Sequence, residues 1–125
     1  MPATRRAPET SRQHRLVRLL GLGFRGGLVL AGVDGTDALL RRGDCQAVVV
    51  ASDASPRARE KAVGTALRRG VPVVTGPDAG TLGASLGKPP VMIAGIRDRQ
   101  LAQGILRVAR SSQDRRHDGG VIGQE

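Results

Sequence analysis

Four short apolar runs, each followed by a helical pattern, constrain this chain more than any other feature of its sequence. The runs are Leu28–Ala31, Ala47–Ala51, Val71–Val74 and Val91–Ala94. Each is too short for a helix and is bounded by glycine, proline or polar residues, which marks a strand. Neither side of these runs is polar, so the sheet they form must be covered on both faces. Pro72 has no N–H to give to a ladder and places the third run at an edge or at a strand start.

The segments between the runs read as helices. Leu16, Val17, Leu19 and Leu20 oppose Arg12, Arg15 and Arg18, so the spacing predicts a basic amphipathic helix over Ser11–Leu22 with Ser11 as its N-cap. Asp34 is placed to cap a brief helix that Gly43 ends. Ser55-Pro56 is a helix start, an N-cap followed by proline at the first helical position. Ala58, Ala62, Val63, Ala66 and Leu67 then form an apolar stripe, and Gly70 stops the helix. Asp78 can cap a short helix through Leu86, ended by Gly87. The last helix starts near Asp98, with Leu101, Ala102, Ile105, Leu106 and Ala109 on one face. A helix followed by four strand–helix units gives an α/β class with helices on both sides of one sheet.

The length, 125 residues, suits a single domain. Residues 1–10 read as a flexible leader, 11–110 as the folded domain and 111–125 as a flexible polar tail. Twenty Lys and Arg against 11 Asp and Glu give a net charge of +9, which attracts polyanions. Only Lys61 and Lys88 are lysines, and Phe24 is the single aromatic residue. Modules that read single strands by stacking bases on aromatic platforms are thereby excluded. A nucleic-acid partner has to be held through arginines, backbone shape and glycine-rich turns. Cys45 is alone, and His14 and His117 lack metal-ligand spacing, so no disulfide framework, metal or cofactor is expected. No apolar run approaches membrane-spanning length, and no secretory signal follows Arg5-Arg6, so a cytoplasmic location without membrane partners is expected.

Three features invite an enzymatic reading. Gly21 to Gly26 spells G-x-G-x-x-G, with Asp44 about twenty residues on. A dinucleotide site needs a strand before that motif and a helix after it, and here the order is inverted. Asp53 follows the best strand, where α/β enzymes place catalytic groups, but Asp53 and Ser55 also suit the turn and cap at Pro56. Cys45 needs a neighbouring base to act as a nucleophile and reads instead as a half-buried small apolar residue.

Three ordered blocks carry a family resemblance. LLGLGFRGGLVLAG at 19–32 is similar, without a gap, to the pattern LLGLARRAGKLVLG. RRGDCQAVVVASDASP at 41–56 is similar to RSGKAKLVILAEDASP, and VPVVTGPDAGTLGASLGK at 71–88 to VPVIEVGSKEELGRAIGK. These patterns belong to small bacterial members of the L7Ae ribosomal-protein family, the kink-turn RNA binders, and the resemblance spans Leu16 to Leu106. It implies a three-layer α/β/α sandwich around a mixed four-stranded sheet. It also implies RNA binding by the turn after the first strand and by the loop before the last.

By position, the first site falls on Gly32, Val33, Asp34, Gly35 and Ala38, with Arg41 and Arg42 nearby. The second falls on Leu86, Gly87, Lys88, Pro89 and Pro90, and Arg25 and Gly27 lie in the approach to the first strand. Strong kink-turn binders carry G-x-Asn-Glu-x-x-Lys at the first site, where this chain has Asp34, Gly35 and Ala38. Leu28 stands where relatives often have Lys. The resemblance implies a non-catalytic binder of structured RNA, ribosomal RNA or the ribosome included, and a protein-interaction module on the same fold is the alternative.

Overall fold

The computed structural model describes residues 2–117, with side chains described from 11 to 110. Among the described residues eleven elements follow the expected strand–helix order, with the single helix expected after Ser55-Pro56 divided into two short helices around a π turn. They are α1 (Pro2–Arg25), β1 (Val29–Ala31), α2 (Val33–Arg42), β2 (Ala47–Val50), α3 (Pro56–Ala58), a π-helical turn (Arg59–Val63) and α4 (Gly64–Arg68). After these come β3 (Val73–Thr75), α5 (Ala79–Ser85), β4 (Ile93–Ile96) and α6 (Arg99–His117).

The four strands make one mixed sheet in the order β1-β4-β2-β3. β4 is antiparallel to both its neighbours, and β3 joins β2 in parallel at the edge, where Pro72 predicted it. Helices α2, α3 and α4 with the π turn pack together over β2 and β4. Helices α1, α5 and α6 cover the other face. Val48, Val49, Val50, Ile93, Ala94 and Ile96 are fully buried between these layers, joined by Leu16, Leu20, Leu39, Leu40, Leu82 and Ile105. Each Val, Leu or Ile side chain so withdrawn from water contributes roughly 1.5–3 kcal/mol before entropy is subtracted. No helix among the described residues is long and apolar enough to cross a membrane.

Several boundaries differ from the expected ones. Helix α1 begins at Pro2, so Ser11 lies inside it and caps nothing. Gly32, not Asp34, is the N-cap of α2, and Asp34 sits in its first turn. β4 is displaced from Val91–Ala94 to Ile93–Ile96 and runs through Gly95, which reads as a breaker in sequence. A Cβ at Gly95 would meet Thr36 of α2 at 3.0 Å, so the glycine marks where a helix lies close on the sheet. Leu67 is 66% exposed. At about 100° per residue it stands beyond the stripe that Ala58, Ala62 and Ala66 bury. α6 extends past Ser111 to His117, and residues 118–125 of the expected tail lie outside the described residues.

The caps follow the sequence more closely. The Ser55 hydroxyl accepts from the Ala58 N–H at 3.1 Å, and Asp78 accepts from the Thr81 N–H at 3.2 Å and its hydroxyl at 2.8 Å. These bonds hold the Asp78 carboxyl below its usual pKa, the Thr81 hydroxyl contributing most. Asp98 accepts from the Leu101 N–H at 2.8 Å at the start of α6.

The loop between α5 and β4 doubles back along α5. Lys88 N–H donates to the Gly83 carbonyl at 2.9 Å, and Val91 N–H to the Ala79 carbonyl at 3.1 Å. Gly83 permits this approach, because a Cβ there would overlap the backbone of Lys88 and Pro89. Gly83→Ala is therefore expected to destabilise the fold by about 1–3 kcal/mol through overpacking. Ser55→Ala, which removes only a cap, is expected to cost about 1 kcal/mol. Urea unfolding checks both, as a lower midpoint with an unchanged slope.

Candidate nucleic-acid interface

Strand pairing decides which turns meet. Ala31 pairs with Ala94, Val50 with Ile93, and Val50 with Thr75. The C-terminal ends of β1, β2 and β3 therefore share one edge of the sheet with the start of β4. The β1–α2 turn, the Ser52–Ser55 turn and the last residues of the loop before β4 all emerge there. Backbone bonds tie them: Gly32 N–H to the Ile93 carbonyl at 2.7 Å, Ala51 N–H to the Met92 carbonyl at 2.8 Å, and Ser52 N–H to the Pro77 carbonyl at 3.0 Å.

Gly32 makes the turn into α2 with φ of 101°, a conformation that side chains disfavour. No side chain caps α2, so the N–H groups of Val33, Asp34 and Gly35 point out of its first turn as open donors. The Asp34 side chain is 96% exposed, and its Oδ1 lies 3.4 Å from Lys61 Nζ on the π turn. An exposed pair of this kind holds its partners only loosely. Gly35 has room for a side chain, since a Cβ there would meet only Leu30, at 3.7 Å. Ala38 is exposed one turn further along the face that carries Asp34. Across the turn, Arg59 Nη2 reaches the Ser52 carbonyl at 3.5 Å, and Met92 is 38% exposed with its sulfur 3.5 Å from the Ser55 amide.

The structure brings only part of the expected residue set together. Gly32, Val33, Asp34, Gly35 and Ala38 share the start of α2, and Pro90 lies two residues before Met92, whose carbonyl accepts from the Ala51 N–H. Leu86, Gly87 and Lys88 lie at the far end of α5 instead. Leu86 is buried, Gly87 turns the chain with φ of 69°, and Lys88 Nζ stands 5.7 Å above the Phe24 ring. Pro89 lies against Gly83 between them. Arg25 and Gly27 sit at the opposite edge, before β1, where Arg97 donates to the Gly27 carbonyl at 3.4 Å. Arg41 and Arg42 are also not beside the turn. Two helical turns, about 10 Å, carry them to the other end of α2, where Arg41 pairs with Asp37 at 3.0 Å and Arg42 with Asp44 at 3.4 Å.

Lys61 and Arg59 are the cations beside this turn that sequence reasoning missed. Spacing alone cannot align the π turn with α2, though Lys61 is one of only two lysines and stood out by composition. Conversely, the enzymatic features have structural roles. A Cβ at Gly21 would lie 2.9 Å from the Ser85 carbonyl, and one at Gly23 would overlap Leu101, so the glycine motif is the surface by which α1 approaches α5 and α6. Asp53 accepts from the Ala79 N–H at 2.8 Å and so serves the start of α5 rather than its own turn. Cys45 is buried outright, not half-buried, and its thiol donates to the Ala47 carbonyl at 3.2 Å. Burial pushes its pKa up, which keeps it a thiol. Among the described residues, no three His, Cys, Asp or Glu side chains group as metal ligands.

Comparison with known proteins agrees with this architecture. A protein of unknown function from Bacillus halodurans superposes with a TM-score of 0.72 at 22% identity, covering 76% of this chain and 96% of that one. A Giardia lamblia 15.5 kD RNA-binding protein superposes with a TM-score of 0.67 at 20% identity, over 81% of this chain and 89% of the other. No curated protein matches the sequence. Residues 19–105, more than two thirds of the chain, match the family model, and the chain belongs to the ribosomal protein L7Ae/L30e/S12e/Gadd45 family.

Proposed function

We propose that this protein is a non-catalytic, cytoplasmic binder of structured RNA, ribosomal RNA among its candidates, and that it engages RNA through the sheet edge where β1 enters α2. The observation that carries this reading is the uncapped first turn of α2. Three open N–H donors, an exposed carboxylate and the Lys61 ammonium converge there beside the residues that lead into β4. Family membership and the likeness to an RNA-binding protein support it.

Each group has a distinct part in this reading. The N–H donors and Lys61 suit a phosphate. The Asp34 carboxylate accepts only, so it selects an exocyclic amino group on a splayed base. Met92 and Pro90 supply an apolar shelf in place of aromatic stacking. A sharply bent RNA exposes unstacked bases beside closely spaced phosphates, which suits a small surface of this composition better than a straight duplex does.

The experiment is fluorescence anisotropy with a kink-turn RNA and a straight duplex of equal length, at two salt concentrations. A preference for the kinked RNA that survives the higher salt is expected. Equal binding that collapses with salt would contradict the reading and leave electrostatics alone. A gain-of-function variant tests the same surface. Asp34→Asn, Gly35→Glu and Ala38→Lys together place the strong binders' groups on exposed or open positions. Each charge-assisted contact contributes about 1.5–3 kcal/mol, so the triple variant is expected to bind the kinked RNA at least tenfold more tightly in the same assay.

A further inference from the structure

Arg41, Thr65, Arg68 and Arg69 line one open groove of about 640 Å³ where α2 and α4 end, about two helical turns along α2 from the β1–α2 turn. Its walls come from two helices that pack side by side. Asp37, almost fully buried, anchors Arg41 through Nε at 3.0 Å. Thr65 organises the other wall, its hydroxyl donating to the Lys61 carbonyl at 2.9 Å and accepting from Arg68 Nη2 at 3.2 Å. Among the described residues no carboxylate pairs with Arg68 or Arg69, so the groove keeps excess positive charge.

Arginines in the last turn of a helix offset the negative end of its dipole, and that role alone can place cations at these ends. It does not require them to face one another, because a cation on any side of a last turn has the same effect. Here three guanidinium groups from two helices converge on one concave surface. Arginine presents a planar fork of donors that matches phosphate oxygens, and charge lining a concavity concentrates the local potential.

The groove is also continuous with the proposed interface. Asp34, Ala38 and Arg41 follow one another at helical spacing down α2, and Lys61, Thr65 and Arg68 do so down the π turn and α4. Between the two ends, Ala38 and Gly64 leave the seam without large side chains; a Cβ at Gly64 would meet only the Arg68 side chain, at 3.7 Å.

We propose that this groove is a second, sequence-independent RNA contact, in which Arg41, Arg68 and Arg69 hold phosphates of a strand that runs along the seam from the sheet edge. The inference rests on the RNA-binding reading above but assigns the groove a separate task, grip without base recognition. Arg41 is a poor place to test it, because removing its guanidinium strands the buried Asp37. Arg68→Gln with Arg69→Gln alters exposed side chains only, and an unchanged urea midpoint confirms the fold.

The test measures the salt dependence of binding to the straight duplex and to the kink-turn RNA for the full chain and for this double variant. About two phosphate contacts are lost, so the slope of log K against log salt is expected to become shallower by about 2, with affinity on the order of tenfold weaker. The ratio of affinities for kinked and straight RNA is expected to stay the same. Unchanged slopes in the variant would overturn the groove while leaving the sheet-edge reading intact. A shallower slope without any preference for kinked RNA in either protein would support the groove and defeat that reading. Failure of the unaltered chain to bind either RNA would overturn both.

Discussion

Strand β4 lies antiparallel between β1 and β2, and most of what this molecule presents to a partner follows from that placement. A fully parallel sheet would send the start of its last strand to the edge opposite the C-terminal ends of the others. Reversing β4 puts the residues leading into it beside the turns that leave β1, β2 and β3. The bond from Gly32 N–H to the Ile93 carbonyl, at 2.7 Å, then fixes where α2 begins. Because Val50, Ile93 and Ala94 are fully buried, a shift of one residue in this register would turn each side chain to the opposite covered face and against a helix layer packed for another. The geometry of the candidate interface is thus set by the core rather than by the interface residues.

Two kinds of chemistry are laid out along α2. At its N-terminus the open N–H groups, Asp34 and Lys61 form a small mixed surface, to which the proposed function assigns the reading of base edges and phosphate positions. Two turns further on, the surface is arginine-rich, and the proposed second contact is a grip on the backbone without base recognition. The division matches what a chain with a single aromatic side chain can do. Stacking platforms are missing from its repertoire, so in the proposed function discrimination falls to hydrogen bonding and shape, and affinity to charge. The Asp34–Lys61 pair is exposed and contributes little to stability, so its partners are free to exchange one another for a ligand.

The alternation of strands and helices was legible in the sequence because apolar runs such as Ala47–Ala51 have only one way to be buried, and Ser55-Pro56 and Asp78 were legible because a cap is local chemistry. The β1–α2 turn came from the family pattern, and strand pairing sets it beside the residues that lead into β4. What escaped was set by tertiary contact. Gly95 looked like the end of a strand until Thr36 lay against it, and Leu67 looked like core until Ala58, Ala62 and Ala66 had defined the buried stripe. Arg41 is near Asp34 in sequence, yet a helix converts seven residues into about 10 Å and a different neighbourhood. Lys61 is far from Asp34 in sequence and ends 3.4 Å away. Lys88, grouped with the second contact by position, is instead drawn onto Phe24 where the loop folds along α5.

The most direct test of where RNA sits is an amide chemical-shift titration of the full chain with kink-turn RNA. The amides of Val33, Asp34 and Gly35, open at the head of α2, should show the largest perturbations, with Met92 moving alongside them and the amides of α1 and α6 staying still. Perturbations that bypass the first turn of α2 and spread instead over α1 and α6 would contradict recognition at this sheet edge.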